Sequence, residues 1–125
     1  MRDSSGRPKP KGAGLRRVLN ATAYSIKGLK AAFKTEAAIR QELVLCAIFI
    51  PIALMLDISK VEQILMIASL VLVVLFELIN SAIEAVVDRV GTEHHELSGK
   101  AKDIGSAAVM VSLGLALFTW LYILI

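Results

Sequence analysis

Three long runs without any charged residue follow a polar first third of the chain. They cover residues 43–56, 63–76 and 104–125. The last run has 22 residues, enough for a helix to cross a hydrocarbon core of about 30 Å. The first two runs are shorter, so they span a membrane only when extended through flanking charges to residues 37–56 and 61–88. The pattern therefore predicts three transmembrane helices, at 37–56, 61–88 and 104–125.

An amphipathic helix is predicted before these spans, at residues 15–34. At 100° per residue its apolar face is a stripe about 100° wide. The stripe consists of Leu15, Val18, Leu19, Thr22, Ile26, Leu29 and Phe33. Its basic residues lie on the flank and the opposite side, as in helices that lie in the headgroup region with lysines near anionic lipid. A simple topology anchor is the alternative.

Composition and charge support this interpretation. Hydrophobic residues make up 56% and charged residues 20% of the chain, whereas soluble domains carry about 25% charged residues. Residues 1–40 hold ten of the fourteen Lys and Arg but only two acids. We therefore assign the positive charge to a membrane-surface helix and a flexible basic tail at residues 1–14, followed by a single domain at 15–125. We expect no nucleic-acid partner.

The positive charges also predict an orientation. The basic N-terminus and a second polar loop, residues 89–103, fall on one side of the membrane, and Lys60 in the tight turn at 57–60 is the only basic residue opposite. Because cytoplasmic loops are enriched in Lys and Arg, we expect the N-terminus and the second loop in the cytoplasm and the C-terminus outside.

The acidic residues inside the second span carry the most information. Glu77, Asn80, Glu84 and Asp88 lie at i, i+3, i+7 and i+11, close to one line along a helix. If Val61 marks the outer edge of the core, Glu77 lies about 24 Å below it and Glu84 about 35 Å. One carboxylate then lies just inside the cytoplasmic boundary and the other just outside it. Ionisable residues at such depths are rare and usually functional.

Glu36 and Arg40 open the first span at the predicted depth of Glu84. A pair formed by Glu36 and Glu84 suits Mg²⁺, which takes one or two carboxylates plus phosphate oxygens. The alternative is an ion-paired network in which Arg40 neutralises a glutamate. Lys102 and Asp103, at the start of the third span, are placed for contacts with a polyphosphate and a base or ribose.

Two further patterns favour structural roles. The adjacent histidines of the second loop lack metalloprotease spacing, so a solvated loop is favoured there over a zinc site. Small residues in the third span, and Cys46 in the first, are typical of helix packing. Those of the third span are Gly105, Ala108, Ser112 and Ala116.

Three segments together resemble the small integral-membrane diacylglycerol kinases of bacteria. They are residues 36–42 (EAAIRQE), 77–89 (ELINSAIEAVVDR) and 95–103 (HELSGKAKD). The likeness runs from about Leu15 to the C-terminus. It implies an all-α homotrimer in the bacterial cytoplasmic (inner) membrane, each subunit having a surface helix and three transmembrane helices, with active sites shared between subunits. The implied reaction, in phospholipid recycling, transfers the γ-phosphoryl group of ATP, with Mg²⁺, to diacylglycerol and yields phosphatidic acid.

The resemblance also implies residue roles. Glu77 matches the general base and Asn80 its polar partner, while Glu36 and Glu84 match the Mg²⁺ ligands. Further positions match nucleotide contacts: Arg17, Tyr24, Glu93, His94, His95, Lys102 and Asp103. Positions that match lipid-substrate contacts are Arg17, Ser25, Arg40, Glu42, Glu77 and Ser106. The chain departs from the family pattern at His94, where tyrosine is usual, and at Phe33 and Ile39, which replace commoner aromatic choices.

Three alternative functions remain at this point. An undecaprenol kinase shares the 77–88 motif, although residues 95–98 and 105–108 look more like the diacylglycerol branch. A small ion-coupled transporter would also carry acids within its spans, but the first two spans offer no polar relay toward the outer leaflet. A lipid-binding structural subunit is the third alternative.

Overall fold

The computed structural model describes residues 4–7, 14–91 and 95–125, and these ranges contain helices and turns but no strand. The helices are α1 (Gly14–Thr35), α2 (Ala37–Met55), α3 (Lys60–Val90) and α4 (Glu96–Leu124). The last three are long and apolar enough to cross a membrane. The predicted all-α fold with three candidate spans is therefore confirmed.

The chain divides into two compact units, residues 1–35 and 36–125. In the first unit, α1 has 22 residues and none of them is buried. Its apolar stripe is open along the whole helix, from Leu15, 74% exposed, to Phe33, 51% exposed. This helix does not hide its apolar face within its own unit.

In the second unit, α3 packs against both α2 and α4. The neighbours run antiparallel, as two contacts between α3 and α4 show. Near one end the indole Nε1 of Trp120 donates to the backbone oxygen of Met66 at 3.1 Å. Near the other end the ammonium of Lys102 meets Asp88. Residues 36–42, 77–88 and 96–106 consequently lie toward the same end of the unit, which is called the polar end below.

The buried positions are few and mostly small, which lets the helices approach closely. They are Ile39, Cys46, Ala53, Met66, Ser69, Val73, Gly105, Val109, Ser112 and Ala116. The predicted packing roles of Cys46 and of three of the four small residues in the third span are thus confirmed, and the fourth, Ala108, is half-buried. The two buried serines each donate to a backbone oxygen of their own helix at 2.7 Å, so their hydroxyls cost little to bury.

A capping box begins α3 at the turn that follows α2. The hydroxyl of Ser59 accepts from the backbone N–H of Glu62, and the Glu62 carboxylate accepts from that of Ser59, both at 3.1 Å. Each satisfies an N–H that the first turn of a helix leaves without a partner. The side chain of Gln63 then donates to two carbonyl oxygens at the end of α2, those of Ala53 and Leu54, at 3.2 Å each. The turn is closed by local hydrogen bonds.

The start of α4 differs from the prediction. Residues 96–103 were expected to belong to a polar loop, and the structure shows them as the first turns of α4, so that prediction was wrong. The imidazole Nδ1 of His95 accepts from the backbone N–H of Leu97 at 3.1 Å, and the Glu96 carboxylate lies in the first turn, where the helix dipole favours negative charge. Polar residues can thus continue an apolar helix beyond the hydrocarbon core without interrupting it.

Candidate functional site

The polar residues of α3 form a continuous stripe, because α3 is one helix from Lys60 to Val90. Glu77, Asn80 and Glu84 are half-buried, whereas Asp88, nearer the helix end, is exposed. The stripe thus passes from the interior of the unit to its surface within three turns. The structure brings these predicted residues together as their spacing indicates.

The side-chain amide of Asn80 lies where α3 packs against α4. Its Nδ2 donates to the Glu84 carboxylate at 3.0 Å. Its Oδ1 is buried and accepts no hydrogen bond from the described residues. This oxygen faces Gly105 of α4 so closely that a Cβ on that glycine would collide with it. Gly105 is buried, so its missing side chain is what lets α4 pass over the amide.

Four carboxylates gather at the polar end. Glu77 and Glu84 share the stripe of α3, and Glu36 and Glu42 lie at the beginning of α2, toward the same end of the unit. Glu36 and Glu42, on either side of the first turn of α2, are both half-buried. Repulsion within such a group is relieved when a cation binds, and carboxylate oxygens are the ligands that Mg²⁺ prefers. The donor set therefore fits a divalent cation.

The protein ligands for such a cation are nevertheless few. Among residues 4–7, 14–91 and 95–125, no group of three or more His, Cys, Asp or Glu side chains is arranged to hold a metal ion. A cation held by only two carboxylates needs further oxygens from water or from a phosphate-bearing substrate.

The beginning of α4 supplies the other predicted residues of this unit. The ammonium Nζ of Lys102 lies 2.7 Å from Oδ1 of Asp88, and Asp103 and Ser106 are exposed. His95 caps the helix as described above. Glu93 and His94 lie outside the described residues.

The predicted site residues of α1 belong to the first unit. The guanidinium of Arg7 lies 4.3 Å from the centroid of the Tyr24 ring, a cation–π contact. The hydroxyl of Ser25 donates to the backbone oxygen of Ala21 at 2.8 Å, and Arg17 is exposed. Tyr24 is half-buried, which agrees with the arginine that covers one face of its ring.

Arg40 lies one turn beyond Glu36 in α2, and its backbone N–H donates to the carbonyl oxygen of Glu36 at 3.3 Å. Its side chain is half-buried.

Two contributors to the polar end were missed by sequence reasoning. Gly105 was interpreted only as a packing residue, and its contact with Asn80 depends on the register between α3 and α4. Asp88 was recognised as part of the stripe but was given no role, since its pairing with Lys102 also depends on that register. The spacing on a single helix carries no signal for either contact.

Comparison with known proteins identifies the family of the chain. A family model described as "Prokaryotic diacylglycerol kinase" matches residues 23–124. A diacylglycerol kinase of Haemophilus influenzae is 53% identical over 110 residues, which is 88% of this chain and 93% of the relative. That of Escherichia coli K12 is 50% identical over 111 residues, covering 89% and 91% of the two chains. That of Pseudomonas aeruginosa is 54% identical over 112 residues, covering 90% and 91%.

The family match includes α2, α3 and α4 in full or nearly so, and therefore every residue of the polar end that the structure describes. The matched relatives are of similar length to this chain, as the coverage shows. On these grounds the chain belongs to the prokaryotic diacylglycerol kinase family.

Proposed function

We propose that this chain transfers the γ-phosphoryl group of ATP to the free hydroxyl of diacylglycerol, yielding phosphatidic acid and ADP. The observation that carries the proposal is the half-buried group of Glu77, Asn80 and Glu84 at the polar end of an otherwise apolar helical unit. Curated relatives at 50–54% identity are named diacylglycerol kinase, so the undecaprenol alternative is not favoured. Phosphoryl transfer depends mainly on positioning and charge neutralisation, which a helical bundle can supply.

Glu77 is the general base in this proposal. Its carboxylate accepts the proton of the lipid hydroxyl while the oxygen bonds to the γ-phosphorus and the bond from phosphorus to the ADP oxygen breaks. The side-chain amide of Asn80 donates a hydrogen bond to Glu84. This bond restrains the Glu84 carboxylate near the base.

Glu36 and Glu84 are the residues that would hold Mg²⁺. When bound, the ion neutralises charge on the phosphate oxygens of ATP. Asn80 restrains one of these carboxylates, and Arg40 stands one turn from the other. The remaining nucleotide contacts are assigned to Arg17, Tyr24, Glu93, His94, His95, Lys102 and Asp103.

The lipid substrate is assigned to the residues around the membrane boundary. They are Arg17, Ser25, Arg40, Glu42, Glu77 and Ser106. The depth of Glu77 along α3 supports this, because a helix rise of about 1.5 Å per residue puts it about 24 Å from Val61. In a core of about 30 Å, that is the level at which a diacylglycerol hydroxyl lies.

The wider setting is part of the proposal. We place the protein in the bacterial cytoplasmic membrane as a homotrimer, with the N-terminus and the α3–α4 connection in the cytoplasm and the C-terminus outside. The open apolar stripe of α1 supports a location of that helix at the membrane surface. The reaction then serves the recycling of phospholipid.

Incubation of purified full-length protein with labelled ATP, Mg²⁺ and a panel of lipid alcohols in mixed micelles tests the proposal. We expect labelled phosphatidic acid from diacylglycerol and far less label on undecaprenol. Preferential labelling of undecaprenol would overturn the substrate assignment. Absence of any labelled lipid would favour a structural subunit, and gradient-driven flux into proteoliposomes without ATP turnover would favour a transporter.

A further inference from the structure

One ion pair joins the last turns of α3 to the first turns of α4. The ammonium of Lys102 lies 2.7 Å from the Asp88 carboxylate, and the two side chains are 43% and 64% exposed. Exposed ion pairs contribute little to folding stability, because water and salt screen them. The pair between Lys102 and Asp88 therefore contributes little to the stability of the fold.

The position of the ammonium is more informative than the strength of the pair. A lysine ammonium has three N–H donors, and Asp88 accepts from one of them. Asp88 lies one turn beyond Glu84 on α3, and Glu84 accepts from Asn80. The pair with Asp88 thus holds Lys102 one helical turn from the carboxylate to which a metal ligand role is assigned above.

A lysine needs such a restraint in order to bind a phosphate chain at a defined place. Its four-carbon stem is flexible, and its ammonium acts as a point charge without the fixed geometry of arginine. We propose that Asp88 is a positioning residue that holds the ammonium of Lys102 where it binds the phosphate chain of the nucleotide. The inference rests on the proposed function, since it presupposes a nucleotide at the polar end.

The direction in which nucleotide affinity changes when Asp88 is replaced shows whether Asp88 positions Lys102 or has no role in binding. Asp88 carries a negative charge, and a nucleotide polyphosphate is also negative. If Asp88 did nothing for Lys102, replacing it with asparagine would remove repulsion and leave nucleotide binding unchanged or tighter. If Asp88 positions Lys102, the same replacement weakens binding despite the lost repulsion.

The experiment compares Asp88→Asn, Asp88→Glu, Lys102→Gln and the double variant Asp88→Asn/Lys102→Gln in the full-length protein. Binding of a non-hydrolysable ATP analogue with Mg²⁺ is measured by calorimetry in micelles, beside KM and kcat for MgATP. We expect Asp88→Asn to raise Kd and KM by about three- to tenfold, more than it lowers kcat. Asp88→Glu should recover most of the affinity, and the double variant should bind no more weakly than Lys102→Gln alone.

Asp57→Asn is the matched control, because Asp57 is an exposed aspartate at the α2–α3 turn, and it should leave Kd unchanged. Unchanged or tighter binding by Asp88→Asn, or a double variant clearly weaker than Lys102→Gln, would overturn the inference. The binding arm decides it even if no lipid is phosphorylated, which is the separate failure of the proposed function. A wild-type protein that binds no nucleotide would overturn both.

Discussion

The two ends of α3 differ in how completely their polar side chains are hydrogen-bonded. At its beginning, Ser59 and Glu62 exchange hydrogen bonds, and Gln63 donates to two carbonyls that end α2. Each of these side chains has a partner within about ten residues of chain. At this end of α3 the hydrogen bonds of these side chains are all made within the α2–α3 turn.

Toward the other end of α3 the polar groups are only partly satisfied: Asn80 donates to Glu84, and Asp88 pairs with Lys102. Glu77 is half-buried at the end of the unit where Glu36, Glu42 and Glu84 also lie. The Oδ1 of Asn80 is buried and accepts no hydrogen bond within the part of the chain that the structure describes. Native proteins leave few buried polar atoms in that state, and each one calls for an explanation.

The difference separates stabilisation from function on one helix. Local hydrogen bonds at the turn stabilise the α2–α3 hairpin, and nothing further is needed there. The carboxylates of the polar end, in contrast, are an arrangement that a cation can complete. Substitutions at the two ends should therefore change different measurable properties.

The largest expected effect is that of Glu77→Gln. Loss of a general base costs about 10²- to 10⁴-fold in rate, so kcat should fall by that order while the protein still assembles. Turnover in mixed micelles with MgATP measures it. Glu62→Gln is the control, because it makes the same change at the other end of the helix and glutamine also completes a capping box. Near wild-type turnover by Glu77→Gln would remove the base assignment.

Glu84→Gln should have the next largest effect. Glutamine keeps an oxygen that can accept from Asn80 but removes the charge that would bind Mg²⁺. We expect the Mg²⁺ concentration for half-maximal activity to rise by about tenfold or more, since affinity follows the charge of the ligands. A Mg²⁺ titration at fixed ATP measures this, and an unchanged midpoint would argue against a metal-binding role.

Gly105→Ala tests the contact between α4 and the Asn80 amide. The added Cβ would collide with Oδ1, so the amide must move away from its position beside Glu84. We expect a fall in kcat of several-fold to about tenfold, with a packing cost of about 1–3 kcal/mol. Gly114→Ala is the matched control on the same helix, because a Cβ there meets nothing within 4 Å among the described residues. Equal behaviour of the two variants would show that Gly105 does not position Asn80.

The smallest effect on activity is expected for Ser59→Ala. Loss of an N-cap costs about 1 kcal/mol of stability, because the N–H of Glu62 loses its acceptor. Thermal denaturation in micelles should show a lower midpoint, whereas turnover at a permissive temperature should stay at the wild-type level. Ser59→Thr should restore the midpoint. Loss of turnover without loss of stability would contradict the separation of the two ends.

Much of the fold was predictable from the hydrophobic pattern. The spacing of apolar residues placed α1 to within one residue of its bounds, and the uncharged runs located α2 and α3 closely. The start of α4 was not predictable in the same way. Polar residues continue that helix beyond its apolar part, and the cap at His95 is an uncommon one for its residue type.

The candidate site was predictable only as far as it lies on one helix. The i, i+3 and i+7 spacing put Glu77, Asn80 and Glu84 on one stripe, and the structure brings them together. Contacts between helices could not be predicted from the sequence. The pairings of Asn80 with Gly105 and of Asp88 with Lys102 depend on the register in which α3 packs against α4. The roles of Glu93 and His94 stay predictions, because these residues lie outside the described ranges.

The unbroken length of α3 has a consequence for how the protein meets its bilayer. A helix of 31 residues is about 46 Å long, well beyond a hydrocarbon core of about 30 Å. Glu77 and Glu84 lie on this one continuous helix, so a tilt or shift of the helix along the membrane normal displaces both carboxylates together. If Glu77 is the base proposed above, we expect hydrophobic mismatch to change its depth and turnover to depend on membrane thickness.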